Sequence, residues 1–199
     1  AKSRPLGLTN LITETLGHYP LVVWFTGCDW YAPVTSIEEV YLARYLEDGG
    51  RLLLSSQDFL YYHASGDLAQ RFGILNWYEG QSATSASSIV EHPASGMWGP
   101  VTLNFLCQNW GDVVEPTPSA SPLVRGEIGQ PLAIAKDDSQ TQKGKSLFYG
   151  FPLETLPFEA RVPALERGIG WLSPLGNSQC SLKPTVPVPA GRVTSTVVL

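Results

Sequence analysis

The run Leu21-Val22-Val23-Trp24-Phe25 has no polar position to turn toward water, and its length suits a strand buried on both faces. Thr26-Gly27-Cys28-Asp29-Trp30 forms the loop after it. Ser36 with Glu39 has the spacing of a capping box, and Ile37, Val40 and Tyr41 start a helix that stops at Gly49-Gly50. Arg51 to Ser55 is the next strand. Strand, helix and strand in this order predict a right-handed crossover between parallel neighbours.

The remaining periodicity is weaker. Leu8 to Leu16 carries a short helical pattern ended by Gly17-His18-Tyr19-Pro20, and Gly66 to Phe72 a second one closed by Gly73. Trp77 to Pro100 is rich in Ser and Gly and reads as loops. Val101 to Leu106 reads as a strand, and Val113 to Ser121, with two prolines, as an irregular connection. Leu132-Ala133-Ile134-Ala135 and Ser146 to Phe151, separated by the polar stretch Asp137 to Lys145, predict a hairpin. A last helix from Glu159 to Leu172 aligns Val162, Leu165, Ile169 and Leu172 on one face. Beyond it, Lys183-Pro184-Thr185-Val186-Pro187-Val188-Pro189 favours an extended linker. The expected organisation is one domain over residues 1–176 and a proline-rich linker or tail over 177–199. The abrupt start at Ala1 and this tail suggest a piece of a longer polypeptide.

Composition narrows the function classes. With 13 basic residues, a net charge of −5 and no Lys/Arg cluster, a nucleic-acid surface is not expected. No run approaches the roughly 18 apolar residues of a membrane-spanning helix. Only 16% of residues are charged, against six tryptophans and many Gly, Pro, Ser and Thr, a balance expected of an extracellular or cell-surface protein. Cys28, Cys107 and Cys180 form no CxxC or Cys/His cluster, so a structural zinc is not expected. They are compatible with a Cys28–Cys107 bridge or with three separate thiols. No GxGxxG or GxxxxGK[ST] pattern supports a nucleotide, and no cofactor is expected.

Three segments together resemble the class I glutamine amidotransferase-like superfamily: Val22-Val23-Trp24-Phe25-Thr26-Gly27, Gly49-Gly50-Arg51-Leu52-Leu53-Leu54-Ser55-Ser56-Gln57-Asp58, and Phe148-Tyr149-Gly150-Phe151-Pro152-Leu153-Glu154 with the helix after it. The resemblance covers roughly residues 8–173. It implies an α/β, flavodoxin-like three-layer sandwich with a mainly parallel central sheet and a C-terminal hairpin, lacking the first strand-helix unit. It also implies a site at the carboxyl ends of the strands. An active member carries a nucleophilic Cys at the strand-to-helix elbow and a His and Glu after the last strand, the His taking the thiol proton and the Glu orienting it.

The resemblance places Gln57 at the Cys position and Pro152 at the His position, and only Glu154 remains. Glutaminase chemistry is therefore not expected. A recruited serine site would use Ser55 or Ser56 as nucleophile, His63 as base and Asp58 or Asp29 as the third member, with Glu154 nearby. At a strand end, however, serines commonly form turns. Asp29 and Asp58 each follow a strand and could share a divalent cation, although both are equally suited to capping turns. Trp77, Tyr78, Trp98 and Trp110 could offer rings to a sugar or peptide, or anchor loops. His18 and His92 read as boundary and loop residues.

The leading expectation is a non-catalytic accessory or interaction domain whose partners are other domains of its own longer polypeptide. The alternatives are a hydrolase or transferase with a site around Ser55, Ser56, Asp58 and Glu154, and a carbohydrate- or metal-binding module.

Overall fold

The computed structural model describes residues 15–78, 83–173 and 197–198. The expected helix over Leu8 to Leu16 lies outside this range except for its end, where Leu16–His18 form a 3-10 turn. Cys180 and the linker expected over 177–199 also lie outside it, apart from Val197–Val198.

Ten strands and four α-helices are described. The strands are β1 (Val22–Phe25), β2 (Arg51–Ser55), β3 (Ile74–Tyr78), β4 (Ser85–Ser88), β5 (Val101–Thr102), β6 (Val113–Pro116), β7 (Ala120–Gly126), β8 (Pro131–Asp137), β9 (Lys145–Tyr149) and β10 (Val197–Val198). The helices are α1 (Ser36–Glu47), α2 (Phe59–His63), α3 (Asp67–Phe72) and α4 (Phe158–Leu172). Eight strands form one sheet in the order β10-β1-β2-β9-β8-β7-β4-β5, and β3 pairs with β6 in a separate ribbon.

The chain is thus a mixed α/β protein. The expected mainly parallel sheet is not what forms: β1-β2 and β2-β9 pair in parallel, whereas β10-β1, β9-β8, β8-β7, β7-β4 and β4-β5 are antiparallel. The reason is local. Only β1 to β2 and the return to β9 have helices or long connections that allow a crossover, while β7, β8 and β9 follow one another through tight turns that reverse the chain. The expected hairpin is present as β8-β9, with Ala133 opposite Tyr149 and Ala135 opposite Leu147.

Alternation along the parallel strands builds two cores. Val23, Leu53, Leu147 and Tyr149 face α4, and Val22, Leu52, Leu54 and Phe148 face α1 to α3. Helices therefore cover both faces of this part of the sheet, which is why its strands read as unbroken apolar runs. On α4 the buried stripe is Ala160, Ala164, Gly168, Ile169 and Leu172, while Val162 and Leu165 are only partly buried. The stripe of small residues lets the helix settle close to the sheet. A methyl group on Gly168 would stand 3.0 Å from Leu147 Cδ1.

Several local expectations shift. The capping box of α1 uses Thr35 and Glu38: Thr35 Oγ1 accepts from Glu38 N, and Glu38 Oε2 accepts from Thr35 N at 2.8 Å. Glu39 is buried instead, and its Oε1 accepts from Leu68 N at 2.7 Å, tying α1 to α3. Trp77 to Pro100 contains the end of β3 and all of β4, not loops alone. Of Val101 to Leu106 only Val101–Thr102 form a strand. Val113 to Ser121 holds β6 and the start of β7. Among the described residues no helix is long and apolar enough to cross a membrane.

Candidate functional site at the strand ends

The parallel strands end side by side at Phe25, Ser55 and Tyr149. Their ladder runs one residue further on each side, with Thr26 N donating to Ser55 O at 3.1 Å and Ser56 N to Tyr149 O at 3.1 Å. The backbone then turns sharply into α2 through Asp58, a non-glycine residue at φ 58° and ψ 7°. Asp tolerates the left-handed region better than most residues. The strained residue of the elbow is therefore Asp58, one position beyond Gln57, where the motif comparison places the nucleophile. Asp58 is 5% exposed.

The serines at this elbow are structural. Ser55 is fully buried; its Oγ donates to Phe151 O at 3.0 Å and accepts from Leu153 N at 2.8 Å, joining β2 to the turn after β9. Ser56, also fully buried, donates from Oγ to Gln57 O at 3.1 Å and accepts from Thr26 Oγ1 at 2.9 Å. His63 does not serve either hydroxyl. Its Nε2 lies 2.6 Å from Val34 O, so this nitrogen carries a proton and donates it, and the ring stacks on Phe59 at 5.5 Å.

Gln57 closes the crevice. It is fully buried, with Oε1 accepting from Trp110 N at 3.3 Å and Nε2 donating to Cys107 Sγ at 3.7 Å. Cys107 is itself bonded to Cys28, with a Cα–Cα distance of 6.0 Å across 79 residues of sequence. Of the two arrangements open at the outset, the bridge is the one that forms. It pins the β1–α1 loop to the segment before β6, directly over the amide of Gln57. Asp112 joins α2 to the turn after β9: it is 1% exposed, its Oδ2 accepts from Leu60 N at 3.3 Å, and its N donates to Gly150 O at 2.6 Å.

The remaining candidates face outward. Glu154 is exposed on the 3-10 turn Leu153–Thr155, its carboxylate toward Gly27. Asp29 is exposed, and its Oδ1 accepts from Tyr31 N at 3.2 Å in an Asx turn. Asp29 and Asp58 thus differ sharply in exposure. Among the described residues no group of three or more His, Cys, Asp or Glu is placed to hold a metal ion.

The middle-chain aromatics do not form an open platform. Trp98 is buried, Trp77 packs against the core, Trp110 is half-buried, and the Tyr78 hydroxyl donates to Glu115 Oε2 at 3.2 Å. A cluster of exposed rings lies elsewhere, on the loop after β1 and on α2. Trp30, Tyr31, Tyr61 and Tyr62 are 58%, 72%, 57% and 38% exposed and meet edge to face in series. Two adjacent aromatic pairs, each just past a strand end, are the signal in the sequence that would have found them.

No family model matches the sequence, and no match is found among curated proteins. Similarity to solved structures is of fold only. The N-terminal domain of mmIFT52 superposes with a TM-score of 0.52 at 16% identity, over 80% of this chain and 79% of that one. A cold-adapted β-galactosidase from Rahnella sp. R3 superposes with a TM-score of 0.50 at 13% identity, over 76% of this chain and 22% of that one. The chain therefore spans about a fifth of the length of that enzyme. A glutamine amidotransferase from Thermotoga maritima matches over 85% of this chain and 64% of its own at 14% identity, with a looser TM-score of 0.46.

Proposed function

We infer that this chain is a non-catalytic accessory or interaction domain of a larger extracellular protein, built on a flavodoxin-like scaffold of the class I glutamine amidotransferase type whose catalytic positions are lost. The observation that carries this reading is Gln57, fully buried at the strand end with both amide atoms engaged. It occupies the place where a nucleophile would need access to substrate, and Pro152 stands where its base would be. A general base must reach the proton it removes, and the one nearby imidazole, His63, is committed to a backbone carbonyl.

The extracellular part of the reading draws support from the Cys28–Cys107 bridge, since disulfides persist chiefly in oxidising compartments. Fold likeness carries no activity across. A hydrolase built on Ser55 or Ser56 is disfavoured because both hydroxyls are buried and already donate and accept within the protein.

The test is turnover of glutamine and of activated p-nitrophenyl esters by the wild type and by Ser56→Ala/Asp58→Ala. The expected result is no turnover above buffer for either protein. Wild-type turnover abolished by the double substitution would overturn the reading.

A further inference from the structure

We propose that the aromatic surface formed by Trp30, Tyr31, Tyr61 and Tyr62 is a binding site for a neutral carbohydrate chain. This rests on the reading above, to which it adds the class of ligand: the domain binds a saccharide beside its closed strand ends and does not cleave it.

The rings are contiguous and open. Trp30 and Tyr31 meet at 6.1 Å and 78°, Tyr31 and Tyr62 at 6.3 Å and 78°, and Tyr61 and Tyr62 at 5.1 Å and 75°. Each step is comparable with the length of one pyranose unit. Edge-to-face packing sets each ring nearly perpendicular to the next, so a ligand lying across them meets faces and edges in turn, and among the described residues no hydrogen bond engages the indole or the three phenols. Such rings combine an apolar face with a polar tip. A pyranose has the matching character, with apolar C–H faces bordered by hydroxyls. Asp29 stands beside Trp30 with one carboxylate oxygen in its turn and the other left to accept from a sugar hydroxyl.

The charge pattern selects among ligands. No lysine or arginine occurs between Leu21 and Ala43 or between Leu52 and Gln70, the stretches that carry all four rings. Phosphates, nucleic acids and acidic glycans need cations, and these two stretches supply none. Trp and Tyr also anchor protein interfaces, so a second copy of the chain is the competing occupant, and the sedimentation arm of the test reads it.

The surface is also held in shape before any ligand arrives. The Cys28–Cys107 bridge and the Asx turn of Asp29 fix the Trp30 loop, and Ala32 at φ 49° completes its turn. Phe59 and Leu60, both fully buried, root the short helix that presents Tyr61 and Tyr62, and His63 ties that helix to Val34. Rings fixed in advance lose little conformational freedom on binding.

The experiment titrates the whole chain with cellohexaose, mannohexaose and galactohexaose, following heat and tryptophan fluorescence, and analyses the recovered sugar. Trp30→Ala and Tyr61→Ala are the test variants, and Tyr78→Ala, an exposed tyrosine on the separate ribbon, is the control; circular dichroism checks that each folds. The expected result is binding of at least one hexasaccharide, weakened roughly tenfold or more by either test substitution, as for a binding hot spot. Tyr78→Ala leaves it unchanged and the sugar is recovered intact. The proposal is overturned if none of the three binds, or if binding survives both test substitutions. It is also overturned if the wild type sediments as a dimer that Trp30→Ala dissolves without sugar, because the rings would then meet a second copy of the chain. Absence of binding leaves the accessory reading standing, whereas recovery of cleaved sugar removes both.

Discussion

Ser55 and Gln57 bind the strand end together from within. Both are fully buried, and a buried polar group left without its partner costs about 1–3 kcal/mol. Ser55→Ala removes an acceptor from Leu153 N and a donor from Phe151 O, so it is expected to lower unfolding stability in urea by about 2 kcal/mol. Gln57→Ala should cost a similar amount by orphaning Trp110 N and leaving a cavity where its buried side chain stood. In the sequence these positions are read only through the amidotransferase resemblance, as a Gln and a Pro where an active member has a Cys and a His. What the sequence did not reveal is that Gln57 is a plug, because its partners Cys107 and Trp110 are about 50 residues away and belong to a segment with no periodicity.

At the scale of elements, the chain was legible where one period dominates. The apolar run of β1 and the Gly49-Gly50 break before β2 are read directly, and Gly49 does adopt φ 90° at the end of α1. The antiparallel half was hidden for a physical reason. Pro116 and Pro122 argue against strands, yet Pro116 ends β6 in a two-stranded ribbon and Pro122 lies at a register shift in β7, places where a missing N–H is tolerated. Ser85-Ala86-Ser87-Ser88 carries almost no hydrophobic signal and is held by both neighbours and by Glu127, whose carboxylate accepts from Thr84 N and Ser85 N. Two predictions belong here. Thr35→Ala removes half of the capping box on α1 and should cost about 1 kcal/mol. Cys28→Ser/Cys107→Ser opens a 79-residue loop closure, for which about 2–4 kcal/mol is the typical loss, and should also lower the protection of Trp110 N from hydrogen exchange.

The end of the molecule away from the strand-end site responds to pH. At the far end of β9, His92 packs edge to face on Trp171 at 5.3 Å, and Lys145 sits over the same indole at 4.7 Å while pairing with Asp137 at 2.8 Å. Burial holds the His92 imidazole below its usual range; Asp137 acts against this and Lys145 with it. The folded state therefore binds fewer protons than the unfolded state, so its stability is full above the unfolded histidine value of about 6.5 and falls as pH drops through the lowered folded value. Urea midpoints should decline across this window in the wild type, and His92→Gln should flatten the decline. Partial burial works to raise the Asp137 carboxyl, but the bonds from Lys145 and Ser139 outweigh it and hold it low, so its contribution is present above about pH 4 and lost on further acidification.

Covalent labelling asks whether the strand-end crevice is closed and its hydroxyls inert. Whole protein would be incubated with an alkyl fluorophosphonate, which captures activated serines, and then with a diazoketone analogue of glutamine, and its intact mass measured. An unchanged mass with both reagents is expected, because Ser55, Ser56 and Gln57 are fully buried and their polar atoms engaged. A stoichiometric adduct mapped to Ser55, Ser56 or Asp58 would contradict it and restore an active site at the elbow.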